Sequence, residues 1–231
     1  MIALPPGIRT ARADDAPEIQ AIYAPYVRDT AISFELEPPS VEEMARRIEA
    51  TLSRFPWLVH VDDGRIAGYA YASRHKERHA YRWSVDVSAY VHRDCHRRGI
   101  GGSLYRALLR IVREQGFFNA YGGITLPNAA SVALHESLGF RPFCVYRGVG
   151  FKGGRWHDVG WWHLRLAPLP PDPAPPIEMG SGSFFAQEKG TCPLFQASTF
   201  AGRGYSTSLE ALRSNLSRFA SNRSWRLLMS G

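Results

Sequence analysis

The sequence predicts one three-layer α/β domain, in which a mixed, twisted sheet is flanked by helices on both faces. Segments with strand periodicity and segments with helix periodicity alternate along the first 167 residues, which is typical of this class. Across residues 83–115 the period changes from two to about 3.6 at a turn that contains glycine. The chain has 231 residues, of which 45% are hydrophobic, so it is long enough to bury one good core.

The first half of the domain is predicted to contain a strand, two helices and a hairpin. In order, these are Ile8–Arg12, a helix capped by Asp14 or Asp15, a helix that starts at Ser40, and the strands Trp57–Val61 and Arg65–Ala72. Ser40 and Glu43 have the spacing of a capping box, which marks the start of a helix. Asp62-Asp63-Gly64 is a hairpin signal, because these residues tolerate the backbone angles of a tight turn.

Residues 83–91 form the central predicted strand, whose two faces differ in polarity. The apolar face carries Trp83, Val85, Val87, Ala89 and Val91. The polar face carries Ser84, Asp86, Ser88 and Tyr90. After Gly99, apolar residues recur at helical spacing: Ile100, Leu104, Ala107, Leu108, Ile111 and Val112. Gly116 is placed to end this helix.

The second half of the domain is predicted to contain a strand, a helix and a pair of strands. These are Ala120–Thr125, a helix from Pro127-Asn128 to Gly139, and the strands Phe143–Phe151 and Val159–Leu166. From Pro168 the chain is rich in Pro, Gly and Ser, and only Ser208–Phe219 has helical spacing. We therefore expect a domain over residues 1–167 and a mostly disordered tail over residues 168–231.

Charge and composition argue against several classes of protein. The formal net charge is +7, but no block of Lys or Arg with interleaved aromatic residues is present, so we expect no nucleic-acid partner. Cys95, Cys144 and Cys192 are widely spaced, which favours a reducing cytoplasm over a disulfide framework. No signal core and no apolar run of the ~20 residues needed to span a membrane is found, so we expect no membrane partner.

The turn before the predicted helix at Ile100 has the properties of a phosphate-binding site. Glycines that open a helix leave main-chain N–H groups without partners at the positive end of the helix dipole. Arg93, Arg97 and Arg98 add positive charge. A Walker loop is excluded because no lysine follows the glycines, and the dinucleotide fingerprint is excluded because Leu104 stands where its third glycine belongs. A ligand that contains a diphosphate is expected.

Three stretches of the chain resemble the GNAT acetyltransferases. His96-Arg97-Arg98-Gly99-Ile100-Gly101 is similar to their motif A, Gln/Arg-x-x-Gly-x-Gly/Ala, with His96 in place of the usual Gln or Arg. AYVHRDCHRRGIG, GGITLPNAASVALHESLGF and GFKGGRWHDVGWW together resemble the phosphinothricin N-acetyltransferase branch of that family. The resemblance covers about residues 8–167 and implies the GNAT acyl-CoA N-acyltransferase fold.

The resemblance implies that acetyl-CoA is the co-substrate. Its pantetheine and thioester would pair with the main chain where the central strand splays from its neighbour, at Ala89, Tyr90 and Val91. Its diphosphate would lie on the turn formed by Arg97, Arg98, Gly99, Ile100, Gly101 and Gly102. Asn128 would contact pantetheine, cap the following helix, or do both. No metal site is expected, because His92 and His96 lie in a turn rather than on a helix.

Two residues carry the catalytic hypothesis. Asp86 matches the position of a glutamate that is proposed as general base in the related enzymes, and it is one methylene shorter. A water bridge to the amine is therefore favoured, and the alternative is a strand carboxylate paired with an arginine. His135 matches the histidine of the phosphinothricin-type enzymes and would relay a proton from amine to sulfur, the alternative being a surface or cap residue.

On the acceptor side, candidate residues are Phe34, Arg74, Arg78, Tyr81, Trp83 and Ser88. Guanidinium groups suit the carboxylate or phosphinate of an amino-acid-like acceptor. The resemblance thus implies N-acetylation of a small-molecule amine acceptor such as phosphinothricin or methionine sulfoximine, by a homodimer. The alternatives are a GNAT with another amine acceptor, such as an antibiotic or a protein N-terminus, and a non-catalytic acyl-CoA-binding module.

Overall fold

A mixed sheet forms the centre of the protein, whose structure is a computed structural model that describes residues 3–181. The strands are β1 (Ile8–Thr10), β2 (Trp57–Asp62), β3 (Arg65–Arg74), β4 (Ser84–Val91), β5 (Asn119–Leu126), β6 (Arg141–Lys152) and β7 (Arg155–Arg165). The α-helices of the described residues are α1 (Ala16–Asp29), α2 (Val41–Leu52), α3 (Ile100–Glu114) and α4 (Ala129–Ser137). Single 3-10 turns include His79–Tyr81, Arg93–Cys95 and Met179–Ser181.

The seven strands lie in the order β1-β2-β3-β4-β5-β7-β6. Within the described chain, β4 and β5 form the parallel pair, and the other neighbouring strands pair antiparallel. The parallel pair requires a crossover, and α3 provides it. The last hairpin places β7 between β5 and β6, so β6 is an edge strand.

Two apolar clusters on opposite faces of the sheet make up the core. One contains Val85 and Val87 of β4 together with Leu104 and Leu108 of α3. The other contains Tyr69 of β3 together with residues of α1 and α2. Helices therefore cover both faces, and the predicted three-layer α/β arrangement is confirmed.

The caps of the first two helices differ from one another. Ser40 Oγ accepts a hydrogen bond from the Glu43 N–H at 3.1 Å, as the capping spacing predicts. Asp15, in contrast, precedes α1 without a side-chain cap bond. Its carboxylate accepts two hydrogen bonds of 2.7 Å from the Arg9 guanidinium instead, so it ties β1 to the start of the helix.

The segment after β7 continues the domain beyond the predicted boundary at residue 167. The Trp83 Nε1–H donates to the Ala174 carbonyl at 2.8 Å, and Gln115 Nε2 donates to the Ile177 carbonyl at 2.8 Å. Met179 joins the core on the α3 side. Residues 168–181 are thus held against the domain, which corrects their assignment to the disordered tail. The candidate helix Ser208–Phe219 lies outside the described residues.

Candidate active site

β4 and β5 pair only at their first residues and then separate. Ser84, Val85 and Asp86 pair with residues 119–121, and no pairing follows toward Val91 within the described chain. The two strands therefore form a fork that opens toward the end of β4. This is the splayed strand end that the resemblance implies.

The main-chain N–H and C=O groups of alternate β4 residues are directed toward this fork. The His92 N–H donates to the Ala67 carbonyl at 2.8 Å. Because bonded positions alternate along an antiparallel pair, the main-chain groups of Tyr90 are directed toward β3, and those of Ala89 and Val91 toward the fork. The Tyr105 hydroxyl, 3.3 Å from the Val87 carbonyl, lies on the fork side. The geometry thus brings Ala89 and Val91 to the expected site, whereas Tyr90 contributes its ring to the opposite cluster.

The turn between β4 and α3 has the expected geometry of an anion site. Gly99 has φ of 79°, a left-handed conformation that favours glycine, and it caps α3. The first intrahelical bond runs from the Ser103 N–H to the Gly99 carbonyl, so the N–H groups of Ile100, Gly101 and Gly102 precede the helical ladder. These donors lie at the positive end of a 15-residue helix.

The two arginines of the turn differ in their surroundings. Arg97 has φ of 61°, which carries the chain into the glycine turn. The guanidinium of Arg98 pairs with the Asp62 carboxylate at 2.7 Å, and this contact fixes the turn to the β2–β3 hairpin. Asp62 also raises the pKa of Arg98, so the side chain remains a cation.

Asp86 lies on the face of β4 that α1 and α2 partly cover, at the base of the fork. Its side chain is 28% exposed, and Oδ1 accepts a hydrogen bond from His75 Nδ1 at 2.6 Å. Desolvation raises the pKa of the Asp86 carboxyl, and the hydrogen bond from His75 partly opposes that shift. The alternative in which Asp86 pairs with an arginine is not what the structure contains: His75 occupies that place.

Sequence reasoning did not identify His75. The predicted strand ends at Ala72, but β3 continues to Arg74, and Ser73 pairs with Asp86. Residues two apart along a strand share a face, so His75 follows Ser73 onto the face of Asp86. A longer β3, paired in register with the central strand, is the signal that would have located it.

His135 is buried beneath the sheet rather than placed in an open cleft. It is 4% exposed, and both ring nitrogens have partners. Nδ1 donates to the Ser131 carbonyl at 2.8 Å, so Nε2 of the neutral ring accepts from the Tyr105 hydroxyl at 3.2 Å. Burial lowers the pKa of His135, which favours this neutral form. The histidine reaches the fork only through Tyr105, another residue that sequence reasoning did not identify.

Asn128 has the capping role. Its Oδ1 accepts a hydrogen bond from the Ser131 N–H at 3.1 Å, and α4 starts at the next residue. Its amide nitrogen is not used by the cap, so a second contact with pantetheine is compatible with this geometry.

The predicted acceptor-side residues are only partly brought together. Ser88 and Asp86 share a face of β4, and the ring of Tyr81 lies 6.4 Å from that of His75, edge to face. Phe34 packs over Gly150 and lies 6.1 Å from the His157 ring. Arg74 pairs in register with Val85, a core residue of the α3 side, so it lies on the opposite face of the sheet from Asp86. Its guanidinium bonds Glu77 at 2.8 Å.

A cavity of about 260 Å³ opens on the Asp86 side of the sheet, between α1, α2 and the strands. Its lining includes Tyr23, Glu35, Arg47, Trp57 and Tyr71. Arg47 bonds Glu35 at 2.8 Å and Glu43 at 2.9 Å, so its guanidinium is held in place. The sequence analysis treated α2 only as a packing helix and did not identify this cation.

Among residues 3–181, none of the helices combines the length and the apolar character that a membrane span requires. Nor do three or more His, Cys, Asp or Glu side chains of those residues converge as ligands for a metal ion.

Known proteins with similar sequences and structures include several acetyltransferases. The model of the acetyltransferase (GNAT) domain family matches residues 8–161. Phosphinothricin N-acetyltransferase of Streptomyces viridochromogenes is 39% identical over 174 residues, which cover 75% of this chain and 95% of that protein. An L-methionine sulfoximine/L-methionine sulfone acetyltransferase of Pseudomonas paraeruginosa is 34% identical over 163 residues, 70% of this chain and 95% of that protein.

A solved structure has the same fold with a bound coenzyme. It is a GNAT superfamily phosphinothricin acetyltransferase from Sinorhizobium meliloti in complex with AcCoA. It matches with a TM-score of 0.66 and 31% identity over 78% of this chain and 93% of that chain. The family match covers most of the domain that carries the fork and the glycine turn, so the resemblance inferred from motif A is confirmed. The chain belongs to the GNAT family of acetyltransferases.

Proposed function

We propose that this acetyltransferase moves the acetyl group of acetyl-CoA to the amino group of a small amino-acid-like acceptor, such as phosphinothricin or methionine sulfoximine. The observation that carries the proposal is the fork between β4 and β5. It presents main-chain groups of Ala89 and Val91 between the N-terminus of α3 and the carboxylate of Asp86, and of these the Val91 carbonyl already accepts a hydrogen bond from the Tyr26 hydroxyl at 2.6 Å. Proteins named for these two acceptors are among the relatives, which supports the substrate class.

In this proposal the coenzyme lies along the fork. The N–H groups of Ile100, Gly101 and Gly102 bind its diphosphate, and Arg97 and Arg98 supply positive charge. The main chain of Ala89 and Val91 pairs with pantetheine, and a main-chain N–H of β4 stabilises the carbonyl oxygen as it gains negative charge. Asn128 adds a contact from the start of α4. Acetyl transfer then occurs by direct attack of the amine in a ternary complex, without an acyl-enzyme.

The acceptor is proposed to enter from the Asp86 face of the sheet. Asp86 promotes loss of the proton from the amine through an intervening group, because its side chain is shorter than that of glutamate. Phe34, Tyr81 and Ser88 line the approach, and Arg78 is the remaining predicted guanidinium on the loop that borders it. The cavity with Arg47 lies on the same face, and the guanidinium that lines it is already paired with Glu35 and Glu43.

His135 is proposed to act on the leaving group, the sulfur of coenzyme A, through Tyr105. The buried imidazole holds the Tyr105 hydroxyl beside the Val87 carbonyl, at the fork. There the hydroxyl turns its single hydrogen from His135 Nε2 to the departing sulfur, and the hydrogen bond made before this step fixes where the hydroxyl lies. This role replaces the direct relay by His135 that the sequence analysis expected.

A homodimer in a reducing cytoplasm is also proposed. The edge strand β6 and the adjoining β7 expose large apolar side chains on the surface: Phe143, Val145, Tyr146, Val149, Phe151 and Trp156. An edge strand with such a surface favours association, and a second copy of the chain would cover it. The free thiols of Cys95 and Cys144 are compatible with a reducing compartment.

Thiol release from acetyl-CoA tests the function directly. The purified chain is assayed with phosphinothricin, methionine sulfoximine, proteinogenic amino acids, aminoglycosides and a peptide with a free N-terminus. Rapid release with the first two supports the proposal. Release with an antibiotic or peptide only would assign another amine acceptor, and acetyl-CoA binding without release for any acceptor would indicate a non-catalytic module.

A further inference from the structure

We propose that His75 is the base of this enzyme: its Nε2 takes the proton from the acceptor's amino group, and Asp86 orients the ring. The inference rests on the proposed function, because it names the group that lies between Asp86 and the amine. A histidine there carries the basic atom beyond the reach of the short aspartate side chain. The water bridge of the earlier hypothesis is then not needed.

The hydrogen bond between the two residues decides the tautomer of His75. An ionised carboxylate only accepts hydrogen bonds, so the 2.6 Å contact between Asp86 Oδ1 and His75 Nδ1 places the ring hydrogen on Nδ1. The lone pair of the neutral ring is then on Nε2, which takes no hydrogen bond from any residue in the described range. A carboxylate that orients an imidazole in this way is the arrangement found in catalytic triads.

Three aromatic rings hold the imidazole in place. Tyr121 of β5 stacks on it at a centroid distance of 4.2 Å with 14° between the planes. Trp161 of β7 and Tyr81 of the 3-10 turn meet it at 6.2 and 6.4 Å, close to perpendicular. A base held on several sides is pre-organised, since little rotamer freedom remains to be lost when the acceptor binds.

The charged and titratable groups around the ring come from four elements. Asp86 faces it from β4, Tyr121 from β5 and Tyr81 from the 3-10 turn, while Lys76 adjoins it in sequence. His163 of β7 stacks on Tyr121 at 4.9 Å. Asp86 is the anion of this set, and it stabilises the protonated imidazole that forms when His75 takes a proton.

Imidazole suits the reaction better than a carboxylate does. General bases are most effective when their pKa lies near the working pH, and imidazole titrates in that range. The side chain of His75 is 15% exposed, so the ring is shielded from water on most sides. Asp86 alone has the lower basicity of a carboxyl group even though burial raises its pKa.

In each turnover the acceptor's nitrogen gives up two protons, one to His75 and one to the departing sulfur. An acceptor that arrives as an ammonium ion loses one proton to Nε2 of His75, and that proton passes to water. The neutral amine forms a bond to the carbonyl carbon of the thioester, and the carbon–sulfur bond breaks. The second proton leaves the nitrogen as the amide forms and is taken up by the departing sulfur. The products are the N-acetylated acceptor, the free thiol of coenzyme A and one proton.

The decisive variant is His75→Asn. The asparagine amide keeps a donor near the position of Nδ1, so Asp86 retains its hydrogen bond, but no basic atom replaces Nε2. We expect kcat to fall by about 10²-fold or more, with KM for acetyl-CoA unchanged. The ionisation that limits kcat at low pH in the parent enzyme should be absent from the variant's profile. Steady-state thiol release between pH 5.5 and 9 measures both effects, with whichever acceptor the panel identifies.

Two further variants complete the experiment. His79→Asn changes an exposed histidine of the neighbouring 3-10 turn and should leave kcat and its pH profile unchanged. His75→Gln, which places a non-basic amide near Nε2, should lose as much activity as His75→Asn. Calorimetric binding of acetyl-CoA shows that each variant is folded, and if one is not, the other supplies the result.

The possible results separate this inference from the proposed function. A folded His75→Asn enzyme that keeps kcat within about tenfold of the parent, or keeps its pH profile, overturns the inference and leaves Asp86 itself as the base. A parent enzyme that releases no thiol with any acceptor overturns the proposed function, and the assignment of a base falls with it.

Discussion

The absence of a side chain at Gly122 makes room for the ring of His135. A Cβ atom at Gly122 would lie 2.5 Å from His135 Nε2 and 2.7 Å from its Cδ2, so the buried imidazole rests directly on the strand. Only glycine allows this approach. The close contact leaves the His135 ring next to Tyr105 and with little free space. A substitution that adds atoms at Gly122 should therefore displace the ring.

Gly122→Ala should destabilise the fold by about 1–3 kcal/mol, because the new methyl group displaces a ring that has no room to move. Urea denaturation measures this loss. Gly102→Ala is the matched control: its Cβ meets only the flexible end of Arg106, and alanine favours a helix, so its free energy of unfolding should be unchanged or raised by up to about 1 kcal/mol. Equal stability of the two variants would contradict the packing argument.

His135 should also make stability depend on pH. Burial lowers its pKa in the folded chain, so the unfolded chain binds a proton more readily as the pH falls through the ordinary histidine range near 6.5. The stability contributed by this residue is therefore present at neutral pH and is lost on acidification. Comparing urea unfolding at pH 7.5 and 5.5, the parent should lose more stability than His135→Gln, and a larger loss in the variant would reverse the sign we infer.

Single residues of the site were predictable to different degrees. The turn at Gly99 and the face of β4 that carries Asp86 were predictable, because motif spacing and strand alternation depend only on near neighbours. The faces on which His75 and Arg74 lie could not be predicted, since they follow from the register between β3 and β4 and not from either strand alone. Arg47 was not identified because a helical arginine is ordinarily a solvated surface residue.

At the scale of elements, Lys152 connects two parts of the chain that are far apart in sequence. It ends β6, and its ammonium group donates to the carbonyls of Val27, Ser33 and Glu35 at 2.6–2.7 Å. These carbonyls belong to the end of α1 and to the loop before α2 that carries Phe34. The last hairpin therefore fixes the loop beside the proposed acceptor site.

Lys152→Met should leave three carbonyls without their shared donor and cost about 1–3 kcal/mol of stability. Amide exchange in residues 30–36 should accelerate, and KM for the acceptor should rise more than KM for acetyl-CoA. Mass spectrometry of exchanged peptides and steady-state kinetics measure these effects. Arg155→Met, an exposed change in the same hairpin, is the control. Similar amide exchange of residues 30–36 in the two variants would contradict the role of Lys152 in holding this loop.

The character of the elements was easier to predict than their order. Period-two and helical patterns located the main strands and helices, since those patterns report burial of one face. That β7 inserts between β5 and β6 depends on pairing between distant segments. β6 looks like a core strand in sequence, but most of its residues are exposed, because it lies at the edge of the sheet.

For the whole molecule, the exposed face of β6 and β7 is the feature that bears on assembly. Trp156 is 66% exposed, and five other large apolar side chains of the same hairpin are at least 40% exposed. A surface of this kind on a monomer favours aggregation, which pairing with a second copy would prevent.

Trp156→Lys should convert a dimer into a monomer, because the partner surface would have to bury a charge. Light scattering after gel filtration should give about twice the 25.9 kDa chain mass for the parent and one chain mass for the variant. Leu169→Lys alters a similarly exposed apolar residue outside the hairpin, and its mass should equal that of the parent. A monomeric parent would contradict the proposed homodimer.

The fork has a mechanical consequence for the molecule as a whole. Among the described residues, the ladder from β1 to β4 and the ladder from β5 to β7 are joined directly by three residue pairs and by the adjoining hydrogen bond from the Phe118 N–H to the Trp83 carbonyl. The sheet thus consists of two halves that are joined over a short length. A long, thin ligand bound along the opening would contact both halves of the sheet and restrain their motion relative to each other. Binding of such a ligand would then also make the sheet more rigid.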